Sequence, residues 1–126
     1  MPVLTQPPSM GDVLKYELNP NYSREVVTLL AGTAYPTGAV LGQITASGKY
    51  TISPATGSDG AETAAAVLLY ATDAAAADAT GIVVARGPAI VSRAGLVFDA
   101  SVDDATKTAA KIAELVTVGI VTRDGV

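Results

Sequence analysis

The 126-residue sequence predicts a compact, mainly β domain with one helix near its C-terminal end and an extended N-terminal arm. Short β-branched and apolar runs recur between glycine- and proline-containing turns, which is typical of small β folds. A single segment carries apolar residues at a convincing helical spacing. Four prolines fall within the first 20 residues, and prolines keep a chain out of helices and central strands. We therefore predict an arm over residues 1–24 and one domain over residues 25–126.

The arm carries isolated apolar residues rather than an apolar block: Val3, Leu4, Val13, Leu14 and Leu18. A terminal segment that only remains solvated is expected to be polar, so these apolar residues indicate a contact. Residues 12–18 have the composition of a single edge strand. The alternative interpretation is a terminus without structure or function, as most chain termini are.

Seven short strands are predicted between residues 25 and 98. We expect them at residues 26–30, 39–45, 50–52, 64–72, 80–86, 89–92 and 96–98. The alanine-rich segment 73–78 has low complexity and is expected to be a loop or a single helical turn. Several short strands at this spacing favour a compact β fold.

The glycine-rich stretch 30–50 has to be tested as a phosphate-binding loop. Five residues separate Gly42 from the pair Gly48 and Lys49, where the motif has four, and Tyr50 stands where a magnesium-binding Ser or Thr is required. The spacing therefore favours a structural role, in which glycines permit a positive φ or a close approach between backbones. The glycines assigned to this role are Gly32, Gly38 and Gly42.

One helix is predicted from residue 101 onward. Ser101 is expected to cap it, with Asp104 three residues later in the position of the capping-box acid. Ala105, Ala109, Ile112 and Val116 form one apolar stripe at helical period, which we expect to face the core. Charged residues on the opposite face are expected to be solvated: Lys107, Lys111 and Glu114, with Asp103 and Lys107 forming an i,i+4 ion pair. A closing strand follows at residues 118–122.

The composition predicts an oligomer. Hydrophobic residues make up 49% of the chain, but 23 of them are alanine and the aromatic residues are five tyrosines and Phe98. Alanine fills little volume, so a single subunit builds a thin core, and neighbouring subunits are expected to cover part of the apolar surface.

The same composition excludes several classes of function. The net charge is −4 and the eight basic residues are scattered, so the sequence lacks the basic footprint of a nucleic-acid-binding protein. Cysteine and histidine are absent, which excludes thiolate and imidazole chemistry, and no set of carboxylates has the spacing of a metal or catalytic site. The longest apolar run, residues 64–71, is too short for a membrane span. We predict a soluble protein that is no enzyme and needs no cofactor or metal.

The order of these segments resembles the bacteriophage head decoration proteins of the lambda type. The segments that carry the resemblance are VVTLLAG at 26–32, TGAVLG at 37–42, AAVLL at 65–69, VARGPAIV at 84–91, GL at 95–96, the helix with its Asp and Lys residues, and GIV at 119–121. Each segment alone is a weak signal. Their order over most of the chain is more specific.

The resemblance implies a bent β-ribbon that closes into an incomplete, β-clip-like barrel with a short helix. It implies a homotrimer that binds at the threefold and quasi-threefold positions of the expanded icosahedral shell. There the trimer contacts the major capsid protein and stabilises the shell against the pressure of packaged DNA. The arm is then loose in the free protein and ordered on the shell. The implied location is the outer surface of the virion capsid, after late synthesis in the host cytoplasm.

Two sets of residues are the candidates for these contacts. The arm would donate backbone hydrogen bonds to capsid strands, with side chains that set the register: Val3, Leu4, Val13, Leu14, Tyr16 and Leu18. The candidates for the trimer interface are Leu68, Tyr70, Pro88 and Ile90. The alternative function is a small β domain that binds a sugar-like ligand or serves as an enzyme accessory module. The absence of Trp argues against a sugar platform, and a phosphate-binding enzyme built on Gly48 and Lys49 is the weakest option.

Overall fold

The computed structural model describes residues 13–124, and their mainly β architecture confirms the predicted fold class. The described part contains ten short strands, which are β1 Leu14–Glu17, β2 Arg24–Leu29, β3 Thr33–Tyr35, β4 Val40–Gln43, β5 Tyr50–Ile52, β6 Ala66–Leu68, β7 Thr72–Ala74, β8 Ala79–Val84, β9 Ala89–Ser92 and β10 Ile120–Arg123. The helical elements are α1 Pro20–Ser23, a 3-10 turn Arg93–Gly95 and α2 Ala105–Thr117.

Five strands form a small, partly closed barrel in the order β2-β5-β4-β6-β8, with β8 returning to β2. The β2–β8 ladder is long, since six antiparallel residue pairs run from Arg24↔Val84 to Leu29↔Ala79. The β2–β5 contact is much shorter and consists of the single parallel pair Leu29↔Tyr50. One further backbone bond, from Leu30 N to Tyr50 O at 2.8 Å, lies beside that pair. The ring is therefore incomplete at this seam, in agreement with the predicted incomplete barrel.

A three-stranded sheet lies outside the barrel in the order β1-β9-β10. β1 pairs antiparallel with β9, and β10 pairs parallel with it. Within the described residues β1 is thus an edge strand, as predicted for residues 12–18. A separate two-stranded ribbon joins β3 to β7 through the pairs Thr33↔Ala74 and Tyr35↔Thr72.

Two apolar clusters form the core. The first, the barrel core, fills the barrel interior and includes Leu29, Leu41, Leu68 and Val83. The second, the outer core, is shared by the barrel wall, the three-stranded sheet and α2; it consists of Val13, Val40, Ala64, Val67, Leu69, Val84, Ala89, Val91, Leu96, Leu115 and Ile120.

Neighbouring residues of one strand alternate between these clusters. Val67 lies in the outer core and Leu68 in the barrel core, and Val84 and Val83 divide in the same way. Both faces of β6 are therefore buried, and β8 is buried on both faces at Val83 and Val84, whereas Ile82 is exposed. A strand that is buried on both faces has a continuous apolar sequence, which explains the near-continuous apolar runs within the predicted strands at 64–72 and 80–86.

Two strand predictions and one loop prediction need correction. The predicted strand 64–72 ends at Leu68, and Thr72–Ala74 forms the separate strand β7, in a segment partly predicted to be a loop. The chain at 96–98 contributes only an isolated parallel bridge, Ala39↔Val97, after the 3-10 turn. The sequence of β7 has no apolar alternation, because its position depends on pairing with β3 rather than on burial of one face.

The predicted N-cap of the helix was wrong. Asp104 caps α2, and its side chain accepts a hydrogen bond from Lys107 N at 2.8 Å. Ser101 lies outside the helix, where its hydroxyl accepts a bond from Ala55 N and donates one to Asp99. Both residue types cap helices well. The contacts that Ser101 makes with Asp99 and Ala55 leave Asp104 as the residue at the boundary.

The predicted inward face of the helix was also wrong. Lys111 and Leu115 are the buried residues of α2, with 3% and 0% of their surface exposed, whereas Val116 is half exposed and Ala105 and Ala109 are exposed. The Lys111 amine donates to Ser53 Oγ at 2.9 Å and to the Glu62 carbonyl. A lysine can bury its aliphatic stem when its amine finds partners, and helical period alone does not show that these partners exist. The predicted Asp103–Lys107 ion pair is confirmed at 2.8 Å.

Candidate interaction surfaces

The described arm residues lie against the body of the protein. Val13 is fully buried in the outer core, and Leu14 packs partly against it. Tyr16 and Leu18 are exposed, and 64% of the Leu18 surface is accessible. Val3 and Leu4 lie outside the described residues. In the isolated chain, Tyr16 and Leu18 are thus the described candidates with the most side-chain surface to offer a partner.

The four candidates for the trimer interface lie in different environments. Leu68 has 0% exposure and belongs to the barrel core, so its side chain offers no surface in the single subunit. Tyr70, after β6, and Pro88, before β9, are exposed. Ile90 is half buried on β9.

Ile90 lies in an apolar row that crosses the outer sheet. It pairs with Tyr16 on β1 and with Val121 on β10, so three side chains from three strands share one row. A groove of about 360 Å³ lies beside this row. We call it the sheet groove; its lining residues are Lys15, Tyr16, Ile90, Arg123 and Asp124.

A second groove lies on the exposed face of α2. Its volume is about 440 Å³, and the predicted apolar stripe forms much of its wall. The lining residues are Arg93, Ala105, Thr108, Ala109, Ile112 and Ala113. The stripe that we expected in the core is therefore a surface feature of the single subunit.

A third apolar surface lies on the β2–β8 ladder. Val26 and Ile82 are directly opposite each other in the register. Both are exposed, and Val26 has 68% of its surface accessible. Cross-strand apolar pairs stabilise a ladder even when exposed, yet such exposure of a valine is also typical of an interface residue seen without its partner.

Charged and polar groups fix the base of the arm to the barrel. Arg24 at the start of β2 forms an ion pair with Glu17 at the end of β1, with Nη2 and Oε1 2.5 Å apart. Ser23 Oγ donates to the same carboxylate at 2.7 Å. The hydrogen bond from Arg24 lowers the pKa of Glu17 below its ordinary value, and the bond from Ser23 acts in the same direction, while partial burial opposes both. These contacts close the turn that contains α1.

Arg86 makes a second connection to this turn. Its guanidinium donates to the Tyr22 carbonyl and to Glu25 Oε1, the latter at 2.5 Å. It also lies over the Tyr22 ring, 5.5 Å from the ring centre, which is within the range of a cation–π contact. α1 is therefore held to the barrel from both sides.

The glycines assigned to backbone geometry lie where the chain bends or approaches itself closely. Gly32 and Gly38 have φ values of +118° and +90°, a region that favours glycine. Gly42 has no positive φ, but a Cβ built on it would lie 2.0 Å from the carbonyl oxygen of Ala61. The loop before β6 thus passes directly over the backbone of β4.

The structure gives little support to a phosphate site at Gly48 and Lys49. The Lys49 amine lies 2.6 Å from a carboxylate oxygen of Asp78, which in turn accepts a bond from Ala31 N. These bonds lower the pKa of Asp78. The positive charge of Lys49 is therefore paired with the carboxylate of Asp78 in the same chain. Among residues 13–124, no group of acidic side chains converges closely enough to hold a metal ion, and no helix there has the length and apolar character of a membrane span.

Sequence comparison decides the family. The model of the bacteriophage lambda head decoration protein D family matches residues 3–120, which is most of the chain. The chain belongs to this family. Membership supports a decoration role on phage heads, a location on the virion capsid and a structural rather than enzymatic role for this decoration protein. A search of curated proteins found no match.

Two features of this decoration protein were missed by the sequence analysis. Arg123 reaches the sheet groove because β10 runs parallel to β9, and the sequence has no signal for that pairing. The exposed pair Val26 and Ile82 was missed because the sequence does not show which predicted strands pair with each other. β2 and β8 are remote in the sequence, so no connecting turn sets their register, and the pairing of Val26 with Ile82 could not be predicted.

Proposed function

We propose that this decoration protein binds as a homotrimer at the threefold and quasi-threefold positions of the expanded phage shell. There it contacts the major capsid protein on the outer surface and stabilises the shell against the pressure of packaged DNA. On this proposal it is made in the host cytoplasm and acts without a cofactor. The observation that carries the proposal is the family match, which begins at residue 3 and so includes the arm.

The arm is the proposed capsid-binding element. β1 is an edge strand of the outer sheet, and the twelve residues before Val13 continue from it. An extended segment that pairs with strands of a partner gains affinity through backbone hydrogen bonds and register through alternate side chains. Residues 1–12, with Val3 and Leu4, are the proposed strand, and Tyr16 and Leu18 are the proposed contacts at its base.

In a trimer, three arms that each bind weakly would together give a high affinity for the shell. Ordering an arm costs conformational entropy, so one arm alone binds weakly. Once one arm of a trimer is bound, the other two are held at a high effective concentration near their sites. A trimer therefore suits a threefold site both in symmetry and in affinity.

The proposed trimer interface includes the exposed pair on the β2–β8 ladder. Val26 and Ile82 face each other there, and Leu69 N bonds Ile82 O at 3.0 Å. The next residue is Tyr70, which is exposed and was a candidate from the sequence. We assign the side chains of Val26, Ile82 and Tyr70 to contact between subunits.

Co-sedimentation with expanded phage heads that lack this protein tests the proposal. We expect the full-length chain to be a trimer by light scattering and to saturate the heads. A variant without residues 1–12 should remain a trimer but bind much more weakly. Deleting residues 1–24 would be a poorer test, because it removes Val13 from the outer core and Glu17 from its ion pair with Arg24.

Two results would contradict the proposal. A monomeric full-length chain would exclude the trimer, and undiminished binding by the shortened variant would exclude the arm. We further propose that binding requires shell expansion. On this proposal, the site that accepts the arm forms only in the mature lattice. Equal saturation of unexpanded and expanded heads would rule out that requirement.

A further inference from the structure

We propose that the sheet groove binds an extended, acidic and apolar segment of the shell protein, beside the site where the arm leaves the body. This inference rests on the proposed function and adds a second contact surface to it. The groove combines an apolar floor, from Tyr16 and Ile90, with basic side chains at its rim, from Lys15 and Arg123.

The charge of the groove indicates an acidic partner. Six basic residues of the described chain are paired with acidic side chains of the same chain: Arg24, Lys49, Arg86, Arg93, Lys107 and Lys111. Arg123 differs from them, since it donates to the Thr122 carbonyl at 3.1 Å and pairs with no acidic side chain of residues 13–124. Asp124 also lines the groove, but it lies 3.5 Å from the Arg93 guanidinium.

The shape of the groove indicates an extended partner. Tyr16 on β1 and Ile90 on β9 are a cross-strand pair that lines the groove, and Arg123 on β10 lines it as well. The groove therefore crosses three strands, which gives a strand-like segment places to pack. An arginine at the rim can bind a carboxylate through two parallel hydrogen bonds. The partner is therefore a segment in which apolar side chains accompany at least one Asp or Glu.

The chain's own first twelve residues fit the groove poorly. Their only acidic side chain is Asp12, which is joined directly to Val13, a buried residue of the outer core. The rest of that segment offers apolar and neutral side chains, and it has no carboxylate for Arg123. If these residues bind the shell as proposed, the groove at their base faces the shell as well. Twelve extended residues span about 40 Å, so arm and groove would contact separate parts of the shell protein.

Charge reversal in the groove tests the inference. The probe is the same preparation of expanded heads that lack this protein. Lys15→Glu combined with Arg123→Glu should weaken binding by about tenfold or more, and it should reduce the dependence of binding on salt. The milder change Arg123→Gln should weaken binding less. Lys107→Glu is the matched control, because it reverses an exposed charge on α2 and should leave head binding unchanged.

Four outcomes distinguish the groove inference from its alternatives. If wild-type protein fails to bind heads, the proposed function is wrong and this inference falls with it. If wild-type protein binds and the double variant binds equally well, the groove inference alone is wrong. Loss of the trimer in the double variant, seen by light scattering, would place a second copy of this chain in the groove. If removal of residues 1–12 abolishes the effect of Arg123→Gln, the groove holds the chain's own segment. An unchanged melting temperature shows that the variants are folded.

Discussion

Lys111 is a charged residue that contributes to stability from inside the protein. Its stem is buried beside Leu115, and its amine bonds Ser53 and the Glu62 carbonyl and lies 3.5 Å from Glu114 Oε1. Removing one partner from such a network leaves the others unsatisfied, which costs more than the bond itself contributes. The lysine thus connects α2 to the loops before β6.

Lys111→Ala should lower the free energy of unfolding by about 2–4 kcal/mol, because it creates a cavity and leaves a buried carbonyl and hydroxyl without their donor. Urea denaturation measures the change. Lys107→Ala is the control, since the ion pair of Lys107 with Asp103 lies at the surface, where water and salt screen it and it contributes little to stability. Equal losses in the two variants would contradict the structural role of Lys111.

Glu17 should make stability depend on pH in the acid range. Its pKa is lowered in the folded protein by the bond from Arg24, so the unfolded chain binds a proton more readily. Stability from this group is fully present above the unfolded pKa and is lost as the pH falls through the folded pKa. We expect the melting temperature to decrease as the pH is lowered below about 5. Glu17→Gln should make this decrease smaller.

Asp103 provides the comparison for Glu17. Its pKa is also lowered, by the hydrogen bond from Lys107, but that pair lies at the surface. Water and salt screen such pairs, so Asp103→Asn should change the acid dependence of the melting temperature less than Glu17→Gln does. An identical pH profile for wild type and Glu17→Gln would show that the Glu17–Arg24 pair is not a stabilising contact.

At the level of elements, β4 and the loop that crosses it depend on Gly42. Gly42→Ala should destabilise the fold by about 2 kcal/mol or more, because the new Cβ would overlap the Ala61 carbonyl oxygen. Gly42→Val should have a larger effect of the same kind. Gly57→Ala is the control, since a Cβ there meets its nearest neighbour, Glu62 Cβ, at an ordinary 3.5 Å. Thermal melts that do not distinguish Gly42→Ala from Gly57→Ala would contradict this account.

The β2–β8 ladder leads to a prediction about assembly. Val26→Asp should weaken self-association by about tenfold or more if the exposed pair with Ile82 lies between subunits, because a charge would then be buried without a partner. Sedimentation over a range of concentrations measures this. Thr106→Asp adds the same charge to an exposed position on α2 and should leave the subunit number unchanged. An unaltered trimer in Val26→Asp would move the interface elsewhere.

The elements show where sequence reasoning succeeds and where it fails. β5 and β9 were predicted at their observed bounds, because turns flank them and their side chains are of strand type. The inward face of α2 was wrong, because the alanine-rich helix offers two faces of similar period and the buried one contains a lysine. β3 and β7 pair only through tertiary structure, and a three-residue strand leaves no periodic signal.

The interaction surfaces were less predictable than the fold for the same reason. Tyr16 and Leu18 were candidates from the sequence, and the structure shows that both are exposed; their role in binding stays a prediction. Burial of Val13 and Leu68 could not be predicted, since it depends on which strands cover them. Arg123 enters the sheet groove only through the parallel pairing of β9 and β10, and a parallel pair joins segments that are remote in sequence.

At the level of the whole molecule, the proposed trimer would make stability depend on assembly. If the protein is a trimer whose subunits separate on unfolding, its melting temperature should rise with protein concentration by mass action. Calorimetry over a hundredfold range of concentration measures the effect. A melting temperature independent of concentration would show that the single subunit is stable without its neighbours or that the trimer does not form.

The unequal joints of the barrel have a mechanical consequence. Six residue pairs hold β2 to β8, whereas one pair holds β2 to β5. If the subunit is pulled from two sides, we expect the β2–β5 joint to separate before the β2–β8 ladder loses its register. On the proposed function, a barrel with one weak joint would widen slightly and recover when the shell beneath it is strained.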